Sequence, residues 1–237
     1  MKKNTQSQQA RVAGEASHRR QILSDSSSFF EKEAYKTLRT NMRFALRGEG
    51  CKKFCITSGA AGEGKSITLM NLAISFGEAG KKVLLIDADM RRPAMARLLV
   101  EQSAPGLANV LAGIVTPQQA IRKEIYPNLD IMFSGDIPPN PMELLSSDEM
   151  EKLMEYATKE YDYVLIDTPP VGVTSDACVV ANFLDGVLFL VRQGQSRKDV
   201  VKQAIGNLQL TGVKILGYVL NGIDVDNDKR YKGYESF

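Results

Sequence analysis

The segment Gly59-Ala60-Ala61-Gly62-Glu63-Gly64-Lys65-Ser66 constrains this chain more than any other feature. It satisfies every fixed position of the G-x-x-x-x-G-K-[ST] pattern and follows a short apolar run, Phe54 to Thr57. Its glycines let the backbone curl so that N–H groups converge on phosphate oxygens, and a helix starting near Ser66 adds the favourable end of its dipole. Lys65 is placed to reach the β- and γ-phosphates. The Ser66 hydroxyl is placed to coordinate magnesium, a hard cation that keeps several waters and needs few protein oxygens. Gly59 through Ser66, with Ile67, is therefore the expected set around ATP and Mg2+.

The rest of the chain supplies the frame such a loop needs. Apolar runs rich in Val, Ile and Leu recur at Val83 to Ile86, Leu129 to Phe133, Tyr163 to Ile166, Val187 to Val191 and Ile215 to Leu220, with the length of strands buried on both faces. Helical periodicity lies between them, at Leu69, Leu72, Ala73 and Phe76, and at Leu144, Leu145, Leu153 and Met154. The alternation predicts an α/β fold: a P-loop NTPase-like parallel β-sheet sandwiched between α-helices, wound with right-handed crossovers. A preceding helix is expected from Phe29, with Ala34, Leu38, Met42, Ala45 and Leu46 at helical spacing up to Gly48. Residues 1–28 are polar and read as a flexible arm, 29–222 as one domain, and 223–237 as a flexible tail.

Ligands of parallel sheets sit beyond the carboxyl ends of the strands. Two runs end there in acids: Val83 to Ile86 enters Asp87-Ala88-Asp89, and Tyr163 to Ile166 enters Asp167-Thr168-Pro169-Pro170. Carboxylates gathered beside the phosphate loop would repel one another unless a cation lay among them, which favours a nucleotide site over three turn-forming aspartates. Arg91 begins the same loop as Asp89. Asn221, after the last strand, is either a turn residue or a contact to the adenine edge.

Other function classes are disfavoured. With 30 Lys+Arg against 28 Asp+Glu the net charge is +2, so composition provides no drive toward nucleic acid. No apolar stretch is long enough to span a bilayer, Lys2 is not a myristoylation glycine, and Phe237 ends no cysteine box, so a cytoplasmic chain without direct membrane insertion is expected. Cys51, Cys55 and Cys178 form no metal spacing, only His18 could join them, and they read as small buried side chains in or beside strands.

A P-loop with Ala60 at its second position, joined to Asp87-x-Asp89-x-Arg91, resembles the bacterial tyrosine kinases of capsular and exopolysaccharide synthesis. The resemblance runs from about Glu33 to Asn221 and includes Ile137-Pro138-Pro139-Asn140-Pro141-Met142-Glu143-Leu144-Leu145. It implies a tyrosine autokinase in which Lys65 stabilises phosphate charge, Ser66, Asp89 and Asp167 hold magnesium directly or through water, and Asp87 accepts the tyrosine proton. It further implies a ring-shaped homo-octamer using the helix positions Glu33, Lys36 and Arg39, where Lys36 stands in place of the family's first arginine and loses its bidentate fork. The alternative for that helix is packing on its own sheet with solvated charges. Tyr231 and Tyr234 are the implied acceptors, although two is few for the family's tyrosine cluster. A membrane polysaccharide co-polymerase that activates and recruits the kinase to the inner face of the membrane, and a phosphotyrosine phosphatase, are the implied partners.

Two other functions compete. Partition and division-site ATPases share the three nucleotide motifs but carry a lysine where this chain has Ala60, and a nucleotide-binding scaffold without chemistry would not need Lys65, Asp87, Asp89 and Asp167 together.

Overall fold

A computed structural model describes residues 21–223. In chain order the elements are α1 (Phe29–Ala45), β1 (Lys52–Ser58), α2 (Lys65–Glu78), β2 (Val83–Asp87), α3 (Met95–Leu99), α4 (Leu107–Leu111), α5 (Pro117–Ala120), β3 (Ile121–Tyr126), β4 (Leu129–Met132), α6 (Pro141–Leu145), α7 (Asp148–Glu160), β5 (Tyr163–Asp167), α8 (Asp176–Ala181), β6 (Gly186–Arg192), α9 (Lys198–Leu210) and β7 (Ile215–Asn221). The expected helices and strands are present, with ends moved by a residue or two. The helical periodicity at Leu144, Leu145, Leu153 and Met154 falls on two helices, α6 and α7, separated by Ser146 and Ser147.

One seven-stranded sheet runs in the order β3-β4-β2-β5-β1-β6-β7. Every pairing is parallel except β3 with β4, so the expected parallel sheet carries one antiparallel edge strand. β3 reads Ile-Arg-Lys-Glu-Ile-Tyr and sits at an edge, where one apolar face suffices, so it lacks the continuous apolar run by which the central strands are recognised. Its ladder shifts between Arg122 and Tyr126, and Glu124 takes φ 52° while donating its N–H to Asp130 Oδ1 at 2.8 Å. Asp130, Tyr161 and Lys123 close a hydrogen-bonded triangle over this edge, with contacts of 2.6, 2.7 and 2.9 Å.

Side chains alternate between two apolar layers, as the period of a strand requires. Phe54, Ile56, Val83, Leu85 and Leu165 pack on one face with α2 and α3, and Cys55, Leu84, Ile86, Val164 and Ile166 pack on the other with α4, α7 and α8. α1 starts at a capping box in which Ser28 and Glu31 satisfy each other's backbone N–H groups, at 2.9 and 3.2 Å. Within the segment read as an arm, Ile22 and Leu23 are buried and Leu23 N–H donates to Asn71 at 2.9 Å, so packing begins before α1. Cys55 is buried in β1 and Cys51 is half-buried beside it, while Cys178 lies in α8, which packs against the core layer that contains Cys55. The cysteines are free. Among the described residues no helix is long and apolar enough to cross a membrane.

Candidate active site

β1 and α2 hold the loop Gly59–Gly64 between them. Gly64 caps α2 with φ 101°, and a Cβ there would stand 2.2 Å from Asn221 Nδ2, so both conformation and space demand glycine. The loop is braced from behind. Glu63, 1% exposed, accepts from Ala60 N–H at 3.1 Å and from the Ser196 hydroxyl, while Asn221 Nδ2 donates to the Glu63 carbonyl at 2.9 Å. Asn221 thus holds the loop, and its Oδ1 accepts from Gly222 N–H at 2.8 Å. Ala61 is exposed, and Ile67 packs partly against the core.

Lys65 is 7% exposed and its Nζ donates to Ser58 Oγ at 3.3 Å. Ser58 in turn donates to the Ala60 carbonyl at 2.8 Å. The Ser66 hydroxyl donates to Asp167 Oδ2, which draws the loop to the end of β5. Asp87 and Asp167 are register partners on adjacent strands, and both are buried. Asp87 Oδ1 accepts from Asp89 N–H at 3.1 Å and Oδ2 from Met95 N–H at 3.3 Å, and Asp89 Oδ1 accepts from Arg92 N–H at 3.0 Å. Arg91 is turned to Asp176 at the start of α8, so its guanidinium is committed to that carboxylate.

The charges explain one another. Burial pushes Asp167 up to about 7, against the pull of Lys65 and the Ser66 hydroxyl. Burial and then Asp167 hold Asp87 well above the usual carboxylate range. Among the described residues Asp167 Oδ1 is buried without a hydrogen-bond partner, directly beside the Ser66–Asp167 contact, which is the situation a divalent cation resolves. Among the described residues no three His, Cys, Asp or Glu side chains gather as a protein-only metal cage. That suits a cation held by a few protein oxygens, waters and phosphates.

These shifts fix the sign of a pH effect. In the unfolded chain both carboxyls titrate near ~4, so native protons bind more tightly. The site's contribution to stability is present below that value and is lost as pH rises through about 7, where Asp167 titrates in the fold. The ligand-free protein should therefore melt at lower temperature at pH 7.5 than Asp167→Asn does, with the gap closing toward pH 5. Parallel melting curves across that range would refute the assignment.

Sequence reasoning missed Ser58, Ser196 and Asp176, whose contacts reach across 7, 133 and 85 positions. It also missed two tethers of the segment after β5: Thr57 Oγ1 donates to the Pro169 carbonyl at 3.0 Å and accepts from Val171 N–H at 3.1 Å, and Thr168 Oγ1 donates to the Ile56 carbonyl at 2.7 Å. Away from the site, Glu33 and Lys36 pair at 2.8 Å on the surface of α1, whereas Arg39 donates to the Ser75 carbonyl and, at 3.1 Å, to its hydroxyl. Tyr231 and Tyr234 lie outside the described residues.

The chain is similar to known proteins in sequence and in fold. Residues 51–188 match the family described as AAA domain. The chain is 40% identical over 202 residues to the tyrosine-protein kinase YwqD of Bacillus subtilis (strain 168), covering 85% of both chains. Its structure is similar to the kinase domain of the Escherichia coli tyrosine kinase ETK, with a TM-score of 0.78 and 35% identity over 81% of this chain and 75% of that one. A likeness in fold alone extends to the septum site-determining protein MinD, complexed with Mg-ADP, from Pyrococcus horikoshii OT3, with a TM-score of 0.61 and 24% identity over 72% and 70% of the two chains.

Proposed function

This chain belongs to the bacterial tyrosine-protein kinases, and from that premise we propose that it phosphorylates the tail tyrosines of a neighbouring copy of itself, Tyr231 and Tyr234, with Mg-ATP as donor. The observation that carries the reading is the pairing of Asp87 with Asp167 at the mouth of the phosphate loop, one acid with an unpartnered oxygen and the other with a raised proton affinity.

Magnesium, when bound, neutralises phosphate charge and links the nucleotide to the protein, and Ser66, Asp167 and, directly or through water, Asp89 would hold it. Backbone N–H groups of Gly59–Ser66 and the ammonium of Lys65 steady the triphosphate. The acceptor phenol is neutral near pH 7. Its oxygen forms the new bond to the γ-phosphorus as the bond to the leaving β-phosphate oxygen breaks, and the ionised form of Asp87, which the cationic charge of a loaded site would favour, takes the phenolic proton late in a loose transition state. Positioning and charge neutralisation supply most of the rate.

The segment Lys229-Arg230-Tyr231-Lys232-Gly233-Tyr234 sets both tyrosines among basic residues, complementary to a site lined by Asp87, Asp89 and Asp167. Each phosphotyrosine adds about −1.5 to −2 charge, which reverses that attraction and releases the tail. A ring of copies, an octamer by family resemblance, would use Glu33 and Lys36, which are 43% and 51% exposed, while Arg39 anchors α1 to its own subunit. A membrane co-polymerase would recruit and activate the kinase at the inner face of the membrane, a phosphatase would reset it, and the output is control of capsular or extracellular polysaccharide synthesis and export.

Mixing an Asp87→Asn subunit that has an intact tail with an active subunit carrying Tyr231→Phe and Tyr234→Phe tests transfer between copies. Alkali-resistant label from ATP should map to Tyr231 and Tyr234 of the inactive partner. Label elsewhere only, or normal labelling of the double Phe variant alone, would refute the tail assignment. Release of free phosphate without protein label would favour a nucleotide-switched binding module of the partition type, a reading the fold allows but Ala60 disfavours.

A further inference from the structure

The loop that carries Asp89 is secured by a group that none of the roles above employs. Asp176 opens α8 with its side chain 1% exposed, and both of its oxygens accept from Arg91, Nε at 2.7 Å and Nη2 at 3.0 Å. A two-bonded fork fixes direction as well as distance. The other ion pairs among the described residues do something else. Glu33–Lys36, Glu149–Lys152 and Arg197–Asp199 join near neighbours on the surface, and Asp130–Lys123 braces the β3–β4 edge. Arg91–Asp176 alone among them links the segments that follow β2 and β5, the two strands ending in Asp87 and Asp167.

The two sides of this link differ in how firmly they are held. The segment after β5 is bound to β1 through Thr57 and Thr168, and Gly172 presses so closely on the phosphate loop that a Cβ there would lie 2.2 Å from the Gly59 carbonyl oxygen. Asp176 thus stands on a frame shared with the phosphate loop. The segment after β2 packs Ala88, Met90 and Met95 into the core, but its hydrogen bonds are mostly to itself, joining Asp87 to Asp89 and Met95 and Asp89 to Arg92. Among the described residues its hydrogen bonds to the β5 side are the Ala88 N–H donating to the Asp167 carbonyl at 2.9 Å, before Asp89, and the Arg91 fork, after it.

We propose that Asp176 is a positioning residue for phosphoryl transfer: acting through Arg91, it registers the Asp87–Asp89 loop against the phosphate loop, and it touches neither nucleotide nor acceptor. This rests on the kinase roles given to Asp87 and Asp89.

Asp176→Asn keeps the shape of the side chain and removes the charge that orients the guanidinium. The kcat for tyrosine phosphorylation should fall on the order of 10- to 100-fold, while ADP affinity measured without magnesium, which depends on the phosphate loop, stays within about twofold. Arg91→Lys, at a 42% exposed side chain that folding tolerates, should lose kcat in the same way, because lysine keeps the charge without the fork. It carries the test alone if Asp176→Asn does not fold. Loss of kcat and magnesium-free ADP affinity together would show a packing role only, and unchanged kcat would show none; either overturns the proposal. A wild-type chain that releases phosphate without labelling tyrosine would instead overturn the kinase reading, and the Asp176 effect would then be read on the rate of phosphate release.

Discussion

Lys65→Met should reduce tyrosine phosphorylation by about 10²- to 10³-fold or more and leave the fold intact. Lys65 begins α2, is 7% exposed, and spends its ammonium on one long contact, 3.3 Å to Ser58 Oγ. Methionine fills the stem's volume without a charge to desolvate, and Ser58 keeps its bond to the Ala60 carbonyl at 2.8 Å, so no buried polar atom is orphaned. The cost falls on chemistry. The ammonium that would meet the transferring phosphoryl group is gone, and so is the main influence holding the proton affinity of Asp167 down. Asp167 then stays protonated further into the neutral range and competes less well for magnesium. Labelling from ATP, with circular dichroism and a thermal melt alongside, checks both halves; a melt collapsed together with activity would mean that Lys65 supports the fold.

Asp87→Asn should lower the rate of transfer by about 10²- to 10⁴-fold, the range of a general base, while retaining much of the affinity for Mg-ATP. Asparagine copies the protonated carboxyl that burial already favours. Its oxygen can keep the 3.1 Å bond from Asp89 N–H, but its amide then faces Met95 N–H, so one hydrogen bond worth about 1 kcal/mol is lost. Against that, the repulsion that arises wherever Asp87 and Asp167 both ionise is removed, and the fold should hold. Equilibrium nucleotide binding separates the roles. If Mg-ATP affinity disappears as completely as transfer, Asp87 is a metal ligand and its assignment as base is wrong.

How far the site was legible follows from the range of the interactions involved. The phosphate loop could be read because its requirements are local: the positive φ of Gly62 and Gly64 and the order strand, loop, helix all lie within consecutive residues. Asp87 and Asp167 could be read as strand-end acids, since central strands announce themselves by unbroken apolar runs. β3 could not, because Arg122, Lys123 and Glu124 interrupt its pattern, and pairing with β4 supplies the stability its composition withholds. Arg91 looked like a site residue from its place after Asp89, yet its direction depends on Asp176, an ordinary helix-start acid in sequence.

Local chemistry along the chain was thus enough to establish the cradle for phosphate, the layered α/β architecture and the two carboxylates at strand ends, because turn conformation and apolar periodicity act between near neighbours. Tertiary structure decided which groups meet. Only the packed sheet sets Asp87 opposite Asp167, leaves Asp167 Oδ1 unpartnered, turns Glu63 to Ser196 and Asn221 to the loop, and closes Arg91 on Asp176. Each of those contacts depends on the direction of a side chain across the strand-end surface, and that direction follows from burial and register rather than from spacing in the chain.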